Sequence, residues 1–424
     1  MERKIIKGFV ILFIYILFFG LLYNETTLIF GIKLGIIWKI PVVLYLLFYA
    51  IFKTSLKDDK IILAISILYS LKLILNISFP KYLFQDSSSS VSELFFPLSF
   101  IYFKYKYFNK PKVVLNFLIY LSTFYLLSSI PFIFGWLETE SVVSTLEHWG
   151  GDYNVKLLNG VFFDVALSSK VFAFSTLVII TSYQWFNKSL TLKLIYTLLI
   201  FLGLYSTYMA FTRTGWISLI LGIAIYQLYK TSYKKKTKFV IILLFFSFII
   251  LIQQDSLTIL YNRLMGIHSV SKKNYSQIDE ITSSRTILYD IALKTLKKAN
   301  FVTLMIGYGE EQGREEFTKY INKAMVAHNR FLEITISGGI IALALFIYLL
   351  YLFSVKVYKG AKNKNSSISK TTVILWTLYL FYLFPSHGLP LWGGVILGGY
   401  IFLNESSLNR FLLPEESLKQ INHQ

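Results

Sequence analysis

Only seven of the chain's 42 lysine and arginine residues are arginine, and five of those seven, Arg213, Arg263, Arg285, Arg314 and Arg330, cluster in the second half around one long polar stretch. Arginine's planar fork meets phosphate oxygens bidentately, which the point charge of lysine cannot do. Segregated arginine therefore points to an anionic ligand carrying phosphate. Arg213 lies in Ala210-Phe-Thr-Arg-Thr-Gly-Trp216, a short break between two apolar runs. There it serves either as an interfacial anchor or as a phosphate contact. Arg285 falls in the first turn of an expected helix, where free backbone N–H groups also favour anions. His328-Asn329-Arg330 stands where the polar stretch meets the next apolar run. A histidine with an ordinary pKa near 6.5 can take a proton from an acceptor hydroxyl, and neighbouring positive charge keeps it neutral for that role. Glu333, a turn after Asn329, could orient His328 or an acceptor sugar. Arg263, Arg314, Asn329 and Arg330 are supporting candidates, and so is Lys170, a lysine inside an apolar run.

Other chemistries leave no mark. The chain has no P-loop, HExxH or GxSxG, and no cysteine. Asp279-Glu280 and Glu310-Glu311 lack the spacing of metal ligands, so neither metal nor cofactor is expected. His148, His268 and His387 have no setting comparable to that of His328.

The elements that must position these residues are membrane helices. The chain is 55% hydrophobic and only 15% charged, with mean hydropathy +0.58, where a soluble protein would carry about a quarter charged residues. Apolar runs recur at lengths suited to a bilayer. The fold class expected is an all-α polytopic membrane protein of about twelve spans, with one large, partly helical external loop. It forms a single integral membrane domain over 1–424. The spans fall near 8–23, 34–52, 61–79, 93–108, 114–135, 162–186, 190–210, 213–229, 238–253, 329–353, 371–387 and 389–404. The first resembles a signal peptide without a cleavage site and is read as an uncleaved helix.

Lysine orients the chain. With twelve spans, Lys53 to Lys60, Lys104 to Lys112, Lys188 and Lys193, Lys230 to Lys238 and Lys356 to Lys370 fall on one side with both termini, which is then cytoplasmic. The formal charge of +19 is thereby topological, and no nucleic-acid partner is implied; the bilayer is the partner. External segments are Phe84 to Glu93, Glu138 to Asp152 and the long loop 254–327. Within that loop, 283–298 reads as an amphipathic helix with Ile287, Leu288, Ile291 and Leu296 on one face. Gly307-Tyr308-Gly309 is a turn. Glu310 to Ala327 reads as a further helix with Glu310–Arg314 and Glu315–Lys319 pairs.

Taken together, Thr212-Arg213-Thr-Gly215, Arg285 ahead of the Gly307-Tyr-Gly309 turn, and His328-Asn329-Arg-Phe-Leu332-Glu333 followed by Gly338-Gly339 resemble the O-antigen polymerase and O-antigen ligase superfamily of bacterial envelope enzymes. The resemblance covers roughly 160–360. Departures are Ala342, where a glycine is usual, and Leu288, three residues after the loop arginine where ligases often place it four on. It implies a metal-independent, inverting glycosyltransferase of the bacterial inner membrane. Arg213 and Arg285 would hold the pyrophosphate of an undecaprenyl pyrophosphate-linked oligosaccharide, and His328 would be the base. A polymerase of O-antigen or capsule repeat units, using that lipid-linked glycan as donor and acceptor and working with a chain-length regulator, is expected first. The alternatives are the ligase to lipid A-core, and, among non-enzymes, a flippase or transporter of lipid-linked oligosaccharide.

Overall fold

The computed structural model describes residues 28–29, 32–74, 83–137, 158, 165–183, 190–210, 212–228, 285–320, 327, 329–361, 367–384 and 391–405. Apart from a two-residue antiparallel pairing of β1 (Leu28–Ile29) with β2 (Ile32–Lys33), the described elements are helical. They are α1 (Leu34–Lys53), α2 (Lys57–Ile74), α3 (Leu83–Lys106), α4 (Pro111–Leu127), the short α5 (Ile130–Ile133), α6 (Val165–Ser182), α7 (Leu190–Met209) and α8 (Arg213–Leu228). After the undescribed stretch come α9 (Arg285–Lys298), α10 (Phe301–Ile306), α11 (Glu310–Thr318), α12 (Arg330–Ala361), α13 (Ser367–Leu383) and α14 (Leu391–Glu405).

Among the described residues three helical stretches are long and apolar enough to cross a membrane: Pro111–Ile133, Leu190–Met209 and Arg330–Gly360. Pro41–Lys53, Leu167–Ser182 and Thr214–Gln227 are apolar but shorter. The expected spans 8–23 and 238–253 lie outside the described residues. In a medium without water every backbone group must bond within its own helix, and polar side chains must find partners as well. Several buried hydroxyls comply. Ser122 donates to the Leu118 carbonyl at 2.9 Å, Thr181 to Leu177 at 2.9 Å and Thr207 to Gly203 at 2.8 Å, each one turn back.

Two expectations are corrected. Phe84 to Glu93 is helical, not a loop, because α3 begins at Leu83. Serine costs a helix only about half a kcal/mol per residue, less than leaving backbone groups without partners. The helix expected over 310–327 stops at Thr318, and Lys319 pairs with Glu316.

The centre of the bundle is built by α3, α6, α13 and α14. Phe96 packs against Phe353 at 4.3 Å and Trp376 at 6.0 Å between ring centroids. Gly398 lets α14 lie against α3, since a Cβ there would stand 2.7 Å from the Phe96 carbonyl oxygen. Apolar side chains instead face outward on α1 (Tyr45, Phe48, Phe52), α7 (Leu194, Leu198) and the later part of α12 (Ile347, Tyr351), as lipid-facing surfaces do.

Helix ends gather into two groups. On one face Lys104 and Lys356, near the ends of α3 and α12, pair with Asp59 at the start of α2 (2.7 and 3.2 Å) and Glu405 at the end of α14 (2.8 and 3.1 Å). Ser367, opening α13, donates to the Thr181 carbonyl near the end of α6 on the same face (3.1 Å). The opposite ends of these helices meet the starts of α8, α9 and α12, and there the candidate residues lie.

Candidate functional site

The start of α8 is fixed by a threonine. The Thr212 hydroxyl accepts the Gly215 amide at 3.4 Å, in the manner of a helix cap, and donates to the Ser169 hydroxyl on α6. Tyr208 and Trp216 meet edge to face at 5.8 Å across the break between α7 and α8. Arg213 is consequently the first residue of α8. Its side chain, like that of Arg285, is outside the described set.

The start of α12 is built the same way. Asn329 Oδ1 accepts the Leu332 amide at 3.1 Å and the Asn329 carbonyl accepts the Glu333 amide at 3.0 Å. Asn329, expected as an acceptor-side candidate, thus caps the helix, and Arg330 is its first residue. Arg330 pairs with Glu333, Nη1 to Oε2 3.6 Å, and both side chains are largely shielded. His328 lies outside the described residues. Its neighbour Ala327 is buried in a small cluster with Leu288, Ile291, Ala292, Phe317 and Ile336. That cluster seats the loop helices α9 and α11 on α12. Leu288 and Ile291 lie on the face expected for 283–298, and Arg285 is the first residue of α9.

Between α9 and α11 the structure adds α10, which the sequence reading missed. Its signal was present in Asn300, whose Oδ1 caps Thr303 at 2.8 Å. Gly307 and Gly309 both take φ of +85°, as the expected turn requires. Burial, with help from Glu316, raises the Tyr308 phenol above its ordinary pKa. It therefore stays protonated, pointing at the Thr295 carbonyl at 3.5 Å.

These helix starts converge on the carboxyl end of α13. The Phe384 ring lies 5.2 Å from Phe331, the residue after Arg330. The Phe384 carbonyl accepts the hydroxyl of Tyr289, one turn after Arg285, at 2.9 Å. Tyr382 faces Ser218, five residues after Arg213, and its ring centroid is 5.6 Å from Lys170 Nζ. At 1.5 Å per residue, the first residues of α8, α9 and α12 are each within roughly 8 Å along their helices of a residue touching this one end. Lys170 is buried there, only 3% exposed. Arg314 is exposed on α11, and Arg263 lies outside the described residues.

Residues 198–347 match the family described as O-antigen ligase. The match runs from α7 to the middle of α12 and takes in all three arginine-led helix starts. The chain is also similar to a ComP-specific O-oligosaccharyltransferase of Acinetobacter baylyi, 26% identical over 224 residues. That alignment covers 50% of this chain and 39% of the relative, so the chain spans well under half of the relative's length in the match. No solved structure matches the chain. The stretch that carries the three helix starts is an O-antigen ligase family domain, and in it the chain is similar to the O-antigen polymerase and ligase superfamily.

Proposed function

We propose that this protein is a membrane glycosyltransferase that polymerises O-antigen or capsule repeat units. It takes the growing glycan from undecaprenyl pyrophosphate and joins it to a hydroxyl at the non-reducing end of another lipid-linked unit. One observation carries the reading. Arg213, Arg285 and Arg330 each open a helix, and those three helices start around the same end of α13. Helix starts are already partly positive, so three such starts led by arginine suit a doubly charged phosphate group.

In the proposed reaction the acceptor oxygen attacks the anomeric carbon from the face opposite the pyrophosphate, inverting it. The C–O bond to the pyrophosphate breaks as the new glycosidic bond forms. Arg213 and Arg285 take up the charge of the departing pyrophosphate, and His328 removes the acceptor proton. Arg330 is held to Glu333 and supports the acceptor side with Asn329; Lys170, Arg263 and Arg314 are further supporting candidates. The wider frame belongs to the same proposal: about twelve spans in one domain, the loop 254–327 external, both termini cytoplasmic, the inner membrane as location, and a chain-length regulator as partner.

The family described as O-antigen ligase and the oligosaccharyltransferase relative favour a second reading, transfer of the finished glycan to a different acceptor. Glycan from a strain lacking the chromosomal copy separates the two. The polymerase, supplied back, restores a ladder of lengths still on the lipid carrier; a ligase leaves the carrier-bound lengths unchanged and alters only attachment. In the same assay Arg213→Lys and Arg285→Lys should each lose most transfer, because the fork is lost while the charge stays. Near-normal transfer by both variants would sink the donor-site reading.

A further inference from the structure

Helix α12 is interrupted at Gly339, whose φ is +72° and ψ −175°. A break of this kind strips carbonyls in the preceding turn of their N–H partners. Two of them are recovered from outside the helix. The Ile336 carbonyl accepts the Tyr308 amide at 2.8 Å and the Ser337 carbonyl accepts the Gly309 amide at 2.9 Å. The turn comes this close because neither backbone carries a Cβ. One added at Gly307 would collide with the Ser337 carbonyl, and one at Gly339 with the Met305 carbonyl. Gly313 adds to the fit, since a Cβ there would stand 2.8 Å from the Ile336 side chain.

The turn is also held from behind. Lys72, near the end of α2, donates its ammonium to the carbonyl of Ile306, the residue just before the turn. Some 234 residues separate the two in sequence. The same helix packs on α12 beyond the break, where Tyr69 stacks on Phe346 at 5.4 Å. Lys72 therefore bridges the bundle to the loop at the place where the loop repairs α12. A charge-assisted bond to a backbone carbonyl, partly shielded from water, is among the stronger single contacts a side chain can make.

We propose that Lys72 is a positioning residue that clamps the Gly307–Gly309 turn into the break of α12 and so fixes the leading segment 330–338. That segment has the Asn329 cap and the Arg330–Glu333 pair at its start. What it positions depends on the glycan-transfer reading above; the clamp does not.

Hydrogen exchange on the full-length chain in detergent micelles, with no substrate added, tests it. In Lys72→Met the amides of Tyr308 and Gly309 and those of 331–338 should exchange about tenfold faster, the ratio expected when a hydrogen bond to a charged group is removed. Amides in α6 and α14 should keep their rates, and Lys72→Arg should restore slow exchange. Unchanged exchange in Lys72→Met overturns the proposal and leaves Lys72 an anchor at the membrane surface. Faster exchange in the turn alone, with 331–338 unaffected, overturns the coupling. If Lys72→Met does not accumulate, it is combined with Tyr308→Cys and Ile336→Cys in this otherwise cysteine-free chain. The disulfide then replaces the clamp and the protein should accumulate; its failure to do so counts against the clamp. Because no transfer is measured, the glycosyltransferase reading can fail while the clamp stands, and the reverse.

Discussion

An arginine at the first residue of a helix opposes the helix dipole and costs roughly 0.3–1 kcal/mol where nothing answers it. Arg213, Arg285 and Arg330 all take that position. Arg330 has an answer in Glu333; for Arg213 and Arg285 the proposed answer is the ligand. Two opposite outcomes follow from one substitution. Arg285→Gln should raise the thermal stability of the ligand-free chain slightly, while abolishing the stabilisation that inorganic pyrophosphate is expected to give the unsubstituted chain. A drop in ligand-free stability would mean that Arg285 is already held by a structural partner. Thr212 carries a separate expectation. Thr212→Ala removes a cap worth about 1 kcal/mol together with the link to Ser169, whereas Thr212→Ser keeps both; melting temperatures in detergent compare them. The arginine pattern was legible in the sequence because it is a matter of counting residue types and locating them at the edges of apolar runs. The duty of Asn329 was legible too, as a capping residue ahead of an apolar run, but the motif drew attention to chemistry instead. The partner of Lys72 was not legible, since nothing local marks a contact made 234 residues away.

Helix α12 is longer than a bilayer crossing needs. Its 31-residue stretch Arg330–Gly360 would extend roughly 46 Å against a hydrocarbon core of about 30 Å. The interruption at Gly339 divides it in two. From Ile340 to Gly360 there are about 21 residues, or roughly 31 Å, and large apolar side chains turn outward from Ile340 onward. Segment 330–338 packs on α9, α10 and α11. The span expected at 329–353 begins where the apolar helix Arg330–Gly360 begins, but hydropathy does not register a break repaired by another segment. The pair Gly338-Gly339 was legible as part of the family resemblance, but its backbone role needed the turn some 30 residues upstream. Gly339→Ala tests the element. A Cβ would force a residue with φ of +72° into a strained region and push the turn away, so stability should fall by about 1–3 kcal/mol or more. A wild-type melting temperature in Gly339→Ala would mean the break is not what seats the loop.

Among the described residues the arginines gather at one end of the bundle, whereas lysines occur at both ends, Lys72 and Lys170 among them at the arginine end. Lysine dominates where Lys53, Lys57, Lys60, Lys104, Lys110 and Lys356 cluster; arginine leads the helices at the other end. The lysine end is tied by Asp59, whose carboxylate is fully buried between Lys104 and Lys356, with the Tyr105 hydroxyl donating to it at 3.0 Å. Loop lysines were visible in the sequence as topology signals, but their pairing across 301 residues was not, because any of several carboxylates could have met them. Asp59→Asn leaves two shielded ammonium groups sharing Glu405 alone, and breaking a buried pair in this way costs about 3–5 kcal/mol, readable as a lower detergent melting temperature. The division of charge also sets the expected orientation. By the positive-inside rule the lysine end faces the cytoplasm, so the arginine end and the α9–α11 loop face outward, where a lipid-linked glycan would be processed. The chain has no cysteine, which makes single-cysteine labelling clean. Lys110→Cys, in the exposed connection between α3 and α4, and Lys319→Cys, exposed just after α11, sit at opposite ends of the bundle. A membrane-impermeant maleimide added to cells with a permeabilised outer envelope should label Lys319→Cys and spare Lys110→Cys until the inner membrane is opened. The reverse pattern would place the arginine-led helix starts in the cytoplasm, and equal labelling of intact cells would mean that the two ends are not separated by a membrane at all.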